Sequence, residues 1–170
     1  MGGFQDEWIE PGVAVDARKV KMMRLALGGP AEGWNPRPDV TPFRSKVLAL
    51  CAQVPPGQVT TYKAIATALG SAPRAVGGAL KRNPYAPLPV PCHRVVAASL
   101  GIGGFAGSDS ASDVRILLKR AILRAEGVVF DEATGKVKPT NAVGSATVFT
   151  DFDTSDETAL LRFAASSLAP

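Results

Sequence analysis

The feature that most constrains the fold is a series of three short helical segments between residues 42 and 83, each ended by proline or glycine. Thr41 is a good N-cap and Pro42 a good first residue for the first helix, and Pro55-Pro56-Gly57 ends it. Within PFRSKVLALCAQV one apolar stripe recurs at helical spacing: Phe43, Val47, Leu50, Cys51 and Val54.

The second and third segments predict a helix-turn-helix unit. QVTTYKAIATALG predicts a short extended entry and a helix that Gly70 ends, and after the turn SAP the stretch RAVGGALKRN predicts another helix. That helix contains Gly77-Gly78, which helix propensity disfavours. A slim helix is useful where it approaches another backbone, such as a nucleic-acid groove, or where it packs tightly on a second helix. The residues alone leave both explanations open.

The charge pattern separates a basic middle from its flanks. Residues 42–138 carry 13 Lys and Arg against 5 Asp and Glu, whereas residues 1–41 and 139–170 have net charges of −1 and −3. A basic segment suits a nucleic-acid partner, although many soluble proteins are equally basic. The helix-turn-helix unit and the glycine-rich stretch GIGGFAG (101–107) lie within this basic segment. We therefore expect a mostly α, winged helix-turn-helix-like domain with a small β wing at 42–138. A tail or linker would precede it at 1–41, and an acidic tail with a peripheral helix would follow at 139–170.

The composition excludes several protein classes. Hydrophobic residues make up 46% of the chain and charged residues 20%, as in a soluble globular protein. No apolar run approaches the ~20 residues of a membrane span, and the acids near the N-terminus are unlike a secretory signal. Two cysteines are too few for a disulfide framework, so we expect an intracellular, reducing compartment.

The stretch PCHRVV places the single histidine of the chain, His93, beside Cys92. A second ionisable group, Glu126, ends the last predicted helix, where the helix dipole disfavours a carboxylate, and this suggests a specific partner. We interpret Glu126, His93 and Cys92 as a relay in which the imidazole removes the thiol proton. Because adjacent residues rarely face each other in a strand, the relay needs a turn or a bridging water. That helix is expected to bury one stripe: Val114, Leu117, Leu118, Ala121, Ile122 and Ala125.

Other interpretations of the cysteines differ in strength. A buried structural cysteine explains Cys92 about as well as the relay does, and Cys51 on its apolar stripe is best explained as a core residue. A thiol protease fits poorly because its base lies far from the cysteine in sequence. A zinc site also fits poorly, because one histidine and two separated cysteines do not supply a tetrahedral ligand set.

Five motifs in order carry a family resemblance over about residues 42–138. They are VPPGQVTTYKAIA (54–66), RAVGGALKRNP (74–84), PCHRVV (91–96), GIGGFAG (101–107) and LRAEGVVF (123–130). Together they resemble the DNA-binding and catalytic domain of the O6-alkylguanine-DNA alkyltransferases, also called methylated-DNA–protein-cysteine methyltransferases. The resemblance implies DNA repair by a single, irreversible transfer of the O6-alkyl group from a flipped-out guanine to the protein.

The resemblance also implies roles for individual residues. Cys92 would be the acceptor, with His93 and Glu126 in the relay through a water. Tyr62 would help to rotate the target nucleotide and protonate the base, and Asn83 would form the hinge between the recognition helix and the active-site loop. DNA contacts would come from Arg74, which replaces the flipped base in the stack, and from Ala75, Gly78, Lys81, Arg82 and Arg94. The pocket would include Val95, Phe105 and Ala106.

The implied partner is double-stranded DNA containing O6-alkylguanine, bound through its minor groove without sequence preference. The protein would act as a monomer, without cofactor, metal or membrane, in the nucleus of a eukaryote or the cytoplasm of a bacterium.

The chain departs from the family pattern in several places. The turn between Gly70 and Arg74 is shorter, the Asn83–Cys92 loop is slightly longer, and the Phe105–Glu126 segment is clearly longer. The usual N-terminal αβ domain is absent or reduced to residues 1–41. Two alternatives follow. Alkyltransferase-like relatives bind alkylguanine without repair, but they carry Trp or Ala where this chain has Cys92. A winged-helix regulator would leave PCHR and Glu126 without a role.

Overall fold

The computed structural model describes residues 41–83, 86 and 90–155. Within them the helices are α1 (Pro42–Ala52), α2 (Tyr62–Ala68), α3 (Pro73–Lys81) and α4 (Val114–Ala125), and the strands are β1 (Thr60–Thr61) and β2 (Val95–Val96). The two strands pair in parallel, and a 3-10 turn at Cys92–Arg94 leads into β2. The domain is mostly α with a small β part, which confirms the predicted class. None of these helices has both the length and the apolar character needed to cross a bilayer.

Helix α1 is the centre of the main core. Thr41 caps it, its hydroxyl oxygen accepting a hydrogen bond from the Arg44 N–H at 3.3 Å, and Pro42 is the first helical residue, as predicted. The predicted apolar stripe is buried except at its first member, Phe43, which is partly buried. Leu48 and Ala49 are buried as well, so α1 is covered on more than one side.

Helices α2 and α3 form the predicted helix-turn-helix unit. Thr61, at the end of β1, caps α2 by accepting a hydrogen bond from the Ala64 N–H at 3.0 Å. Gly70 follows α2 in the left-handed region with a φ of +58°, and α3 begins at Pro73, whose fixed φ suits a first helical turn. Helix α3 buries Val76, Ala79 and Leu80 against the main core and leaves its other face exposed.

The predicted buried stripe of α4 is wrong at Val114, Leu117 and Ala121, which are exposed, whereas Ile122 is buried as predicted. Val114 and Leu117 are 65% and 55% exposed, and the inward face consists of Ile116, Lys119, Ile122 and Leu123. Apolar residues occur on nearly every side of this helix, so hydrophobic spacing did not determine the buried face. Lys119, at the middle of the buried face, is itself fully buried.

Strand β2 lies between two buried clusters. Val95 belongs to the main core with α1, α2 and α3, and Val96 belongs to a second cluster with Val59, Leu123 and Val128. Successive strand residues face opposite sides of a sheet, which explains this division. The 3-10 turn that precedes β2 is therefore held at the junction of the two clusters.

Residues 139–155, which we call the C-terminal arm, lie against the domain and contain no helix. Val59 pairs in parallel with Val148, Thr147 is fully buried, and Phe152 packs on the main core. The contacts thus continue past residue 138, where the sequence pattern placed the domain boundary, because this arm pairs with the residue before β1. The rest of the predicted tails, residues 1–40 and 156–170, lies outside the described residues.

Candidate active site and nucleic-acid interface

The 3-10 turn at Cys92–Arg94 makes the predicted relay geometrically possible. Backbone hydrogen bonds from Cys92 N to the Val90 carbonyl at 2.8 Å and from Arg94 N to the Pro91 carbonyl at 2.9 Å shape the turn. Because the segment turns before it enters β2, Cys92 and His93 are not forced onto opposite faces of a strand. All three side chains of the turn are buried, Cys92 being 7% exposed.

Glu126 receives hydrogen bonds from two residues of this turn. It caps the C-terminal end of α4, and its Oε1 lies 2.9 Å from His93 Nε2. Arg94 donates from Nε to Glu126 Oε2 at 2.9 Å and from Nη2 to Oε1 at 2.6 Å, and its Nη1 donates to the Val54 carbonyl at 2.7 Å. The guanidinium thus offsets the unfavourable placement of a carboxylate at a helix C-terminus.

The electrostatics of this cluster determine which nitrogen of His93 can act as a base. Burial opposes ionisation of Glu126, but the hydrogen bonds from His93 and Arg94 outweigh it and lower the Glu126 pKa to about 2. An ionised carboxylate only accepts, so His93 Nε2 carries the proton. Burial also lowers the pKa of His93 against the opposing effect of Glu126, which favours the neutral imidazole. The lone pair therefore lies on Nδ1, which is buried and has no hydrogen-bond partner among the described residues.

The Cys92 thiol needs such a base. Burial raises its pKa, while a hydrogen bond from the Asn83 side chain and the positive charge of Lys119 act in the opposite direction. The thiol is consequently protonated at neutral pH. Asn83 also donates from Nδ2 to the Val90 carbonyl at 3.2 Å, which ties the end of α3 to the residues just before Cys92.

Lys119 is a site residue that the sequence analysis missed. Its side chain is fully buried, and Nζ donates to the carbonyls of Val95 at 2.7 Å, Ile102 at 2.6 Å and Gly104 at 3.0 Å. Burial lowers its pKa to about 7, yet three carbonyl acceptors match the three donors of an ammonium group. The only sequence signal is the helical spacing of Lys119 from Ile116 and Leu123, which places all three on one face of the helix. Lysine side chains usually face solvent, so this spacing alone does not predict a buried lysine.

A cavity of about 830 Å³ lies beside Cys92. Seven of the predicted site residues line it: Tyr62, Arg74, Gly78, Lys81, Cys92, Phe105 and Ala106. Tyr62 donates from its hydroxyl to the Gly104 carbonyl at 3.0 Å, and burial raises its pKa to about 12, so it keeps its proton at neutral pH. A thiol, a protonated phenol and two basic side chains thus face one cavity.

The glycine-rich loop forms the far wall through a tight turn. Phe105 and Ser108 exchange backbone hydrogen bonds of 2.7 and 2.9 Å, and between them Ala106 and Gly107 have φ values of +48° and +89°. Two successive positive φ values are characteristic of a type I′ turn. Asp109, in the longer segment that follows, also lines the cavity and is not among the predicted site residues.

Other predicted residues lie away from the cavity. His93 and Glu126 are buried near the Cys92 turn, and Asn83 contacts the thiol from the end of α3. Ala75 and Arg82 are exposed but do not line the cavity. Val95, predicted in the pocket, is instead fully buried in the main core and contributes its carbonyl to Lys119.

The assignment of Arg94 to DNA contact needs correction. Its guanidinium is buried and already donates to Glu126 and to the Val54 carbonyl. A side chain held in this way cannot reach a phosphate on the surface. Arg94 instead positions the carboxylate.

The two glycines of α3 differ in their surroundings. A Cβ at Gly77 would contact the Tyr62 ring at 4.0 Å, whereas a Cβ at Gly78 would meet nothing within 4 Å. Gly77 thus faces inward, in ordinary contact distance of another side chain, while Gly78 is exposed on the open face of the helix. Packing among the described residues therefore gives no reason for a glycine at Gly78.

Metal ligation finds no support in the part of the chain that the structure describes. There, no group of three or more His, Cys, Asp or Glu side chains is arranged to hold an ion. Both cysteines are free thiols.

Residues 42–128, just over half of the chain, match the family model described as 6-O-methylguanine DNA methyltransferase, DNA binding domain. The chain belongs to this family. The matched span contains every residue of the Cys92, His93 and Glu126 cluster and all the residues that line the cavity, whereas the C-terminal arm lies beyond it.

Curated members of the methyltransferase family are similar to this chain over about half its length. The methylated-DNA–protein-cysteine methyltransferase of Saccharolobus solfataricus is 47% identical over 91 residues, which are 54% of each protein. The protein of that name from Thermococcus kodakarensis is 50% identical over 90 residues, 52% of this chain and 47% of the relative. The chain therefore spans about half the length of the curated relatives it matches.

Solved structures include similar proteins. The O6-methylguanine-DNA methyltransferase of Pyrococcus kodakaraensis is 50% identical with a TM-score of 0.44, covering 52% of this chain and 48% of that one. Mycobacterium tuberculosis OGT in complex with DNA is 39% identical with a TM-score of 0.44, covering 51% and 50%. S. pombe Atl1, bound to damaged DNA containing O6-carboxymethylguanine, is 30% identical with a TM-score of 0.44, covering 56% and 86%.

Proposed function

We propose that this protein repairs DNA by transferring the alkyl group of O6-alkylguanine to Cys92, once per protein molecule. The observation that carries the proposal is a thiol in the wall of an open cavity, close to a buried histidine that an ionised glutamate orients. The names of the curated relatives, methylated-DNA–protein-cysteine methyltransferases, support the same chemistry.

The side chains can carry out the transfer without a further reactant. His93 Nδ1 takes the thiol proton through a water, and the Cys92 thiolate attacks the alkyl carbon in line. The S–C bond forms as the bond from that carbon to guanine O6 breaks. Tyr62, protonated because of its raised pKa, donates to the departing base, and the proton held by His93 replaces it. The products are an S-alkyl cysteine and guanine, and no step regenerates the thiol.

The proposed partner is double-stranded DNA, bound through its minor groove without sequence preference. Helix α3 would enter the groove with Gly78 toward the DNA, while Lys81 and Arg82 approach phosphates. The target guanine must leave the stack to reach Cys92, and Arg74 at the cavity would take its place, which partly offsets the few kcal/mol of unstacking. The protein would act as a monomer in a reducing compartment, the nucleus of a eukaryote or the cytoplasm of a bacterium, where both thiols stay free.

The intact mass of the protein after incubation with O6-methylguanine DNA tests the proposal. We expect the mass to rise by one methylene equivalent and then stop, with the change on the peptide that contains Cys92. Cys51 serves as the internal control, because it is fully buried in the main core and burial raises its pKa well above the usual value. Cys92→Ser should abolish transfer yet still bind the lesion, because a hydroxyl is too weak an acid for this base.

Variants of the two relay residues extend the test. His93→Ala and Glu126→Ala should slow the transfer while lesion binding remains close to that of the wild type, since neither side chain lines the cavity. A wild-type protein that binds O6-methylguanine DNA tightly without any change of mass would contradict the repair function and favour a lesion-binding role.

A further inference from the structure

The loop between α1 and β1, residues 53–59, lies directly behind the relay. The Val54 carbonyl accepts a hydrogen bond from Arg94 Nη1 at 2.7 Å. The same guanidinium group also donates to Glu126. Gly57, with a φ of +79°, is packed so closely that a Cβ there would lie 2.8 Å from the Glu126 carbonyl oxygen. The loop therefore contacts both Arg94, which donates to Glu126, and the backbone of Glu126 itself.

The C-terminal arm holds the opposite side of this loop. Gln53 exchanges two hydrogen bonds of 2.9 Å with the backbone of Asp153, and Asn141 Nδ2 donates to the Gly57 carbonyl at 3.2 Å. Gln58 Nε2 donates to the Ala146 carbonyl at 2.8 Å. Val59 completes the set, with its N–H donating to Thr147 and its carbonyl accepting from Phe149 N–H, both at 2.7 Å. These are six hydrogen bonds along seven residues of loop.

The arm is also tied to the chain just after Glu126. Ala142 N donates to the Gly127 carbonyl at 2.9 Å, one residue beyond the carboxylate. The arm thus contacts the supports of Glu126 from two directions, through loop 53–59 and through Gly127. None of its residues lines the cavity beside Cys92, so any effect on the reaction must be indirect.

We propose that the C-terminal arm positions the relay. Its hydrogen bonds hold loop 53–59 in place, and this loop in turn holds Arg94 and Glu126. Glu126 then sets the Nε2–H tautomer and the orientation of His93. The consequence for alkyl transfer rests on the proposed function. The sequence pattern gives no reason to expect this role, because no motif residue lies in the arm and the family match ends at residue 128.

The physical basis is the small tolerance of the relay. The base must remain within reach of the thiol, and a misplacement of ~1 Å in a reacting group can cost ~100-fold in rate. The ionised Glu126 imposes one tautomer only while it stays close to His93 Nε2. Loosening the loop should therefore change the tautomer of His93 before it changes the fold.

His93 is the single histidine of the chain, so its imidazole nitrogens give unambiguous NMR signals. The test compares the full-length protein with the double variant Gln53→Ala/Asn141→Ala, which removes three of the six bonds at exposed or partly buried positions. The control is Thr134→Ala, which removes a side-chain hydrogen bond of 2.8 Å to Asp131 in the turn that precedes the arm. We expect a mixture of tautomers in the double variant, against a single Nε2–H tautomer in the wild type and the control.

Single-turnover kinetics provide the second readout. At saturating O6-methylguanine DNA the transfer rate of the double variant should fall about fivefold or more, with its DNA dissociation constant unchanged. A wild-type tautomer together with a wild-type rate would overturn the proposal. If the double variant does not fold, Gln53→Glu takes its place. Of the two bonds between residue 53 and Asp153, it keeps only the one accepted from the Asp153 N–H. It should shift the tautomer of His93 partially, and an unchanged tautomer in this variant would equally overturn the role of the arm. Because the tautomer is measured without DNA, a wild type that transfers no alkyl group would refute the proposed function and leave the test of the arm intact.

Discussion

His93 Nε2 lies 2.9 Å from Glu126 Oε1, and the two side chains are only 2% and 5% exposed. An ionised carboxylate this deeply buried is stable only because both His93 and Arg94 donate to it. The same contacts that orient the imidazole therefore make the fold depend on the charge of Glu126. This dependence can be measured without any substrate.

We expect Glu126→Gln to change how stability varies with pH. The folded-state pKa of Glu126, about 2, lies below its ordinary value of 4.5, so its contribution is complete above about pH 4.5 and is lost as pH falls toward 2. Its size is about 3 kcal/mol. The wild type should exceed Glu126→Gln in free energy of unfolding by a constant amount near neutral pH, and the difference should shrink below pH 4.5. Urea titrations from pH 7 to 3 measure it, and parallel curves for the two proteins would contradict it.

Lys119→Met should affect both stability and the reactivity of Cys92. The change leaves the carbonyls of Val95, Ile102 and Gly104 without their donor, at about 1–3 kcal/mol for each buried group. It also removes a positive charge that lowers the pKa of the Cys92 thiol. We expect a lower melting temperature. We also expect slower alkylation of Cys92 by iodoacetamide at and below about pH 7, where Lys119 keeps its charge, with the two rates converging at higher pH.

A neighbouring residue on α4 supplies the control for this measurement. Arg120 carries the same charge, but its guanidinium lies over the Phe130 ring, 5.0 Å from the centroid, and does not act on the thiol. Arg120→Met should leave the pH profile of Cys92 alkylation unchanged. An equal change in the pH dependence of Cys92 alkylation in both variants would show that Lys119 does not act on the thiol.

Arg74→Ala should slow transfer from duplex DNA more than reaction with free O6-alkylguanine, because only the duplex requires base flipping. Arg74 is exposed and lines the cavity. Lys63→Ala is the matched control, since Lys63 is exposed on α2 and does not line the cavity. Single-turnover rates with both substrates decide the matter, and equal losses on duplex and free base would exclude Arg74 from this step.

The features that the sequence predicted well depend on local signals. Thr41 and Pro42 begin α1, Gly70 ends the first helix of the helix-turn-helix, and Val95-Val96 forms a strand, because capping and backbone preferences act within a few residues. The expected partner of Glu126 was also found through a local argument, the poor placement of a carboxylate at a helix C-terminus.

The features that sequence analysis missed depend on contacts between distant segments. Lys119 is buried because carbonyls from three other positions converge on it, and no pattern within α4 reveals their approach. Arg94 resembles a surface cation in sequence, but Glu126 and Val54 lie 32 and 40 residues away along the chain and bury it. The arm contains few apolar residues at regular spacing, and backbone hydrogen bonds to Val59 hold it in place.

The last prediction concerns the slim helix α3. Gly78→Ala should stabilise the free protein by about 0.5–1 kcal/mol, because alanine is the better helix former and its Cβ would meet nothing within 4 Å. The same methyl group would project from the face that we propose enters the minor groove. We therefore expect a higher melting temperature together with weaker binding to O6-methylguanine DNA.

The control must stabilise a helix without touching the proposed interface. Thr67→Ala on α2 meets this need. Thr67 is exposed and does not line the cavity, and alanine is the strongest helix former. It should raise the melting temperature and leave the dissociation constant for DNA unchanged. Binding of Gly78→Ala as tight as that of Thr67→Ala would mean that α3 tolerates a larger residue against DNA. Helix packing would then be the better explanation for the two glycines, because a Cβ at Gly77 would lie 4.0 Å from the Tyr62 ring.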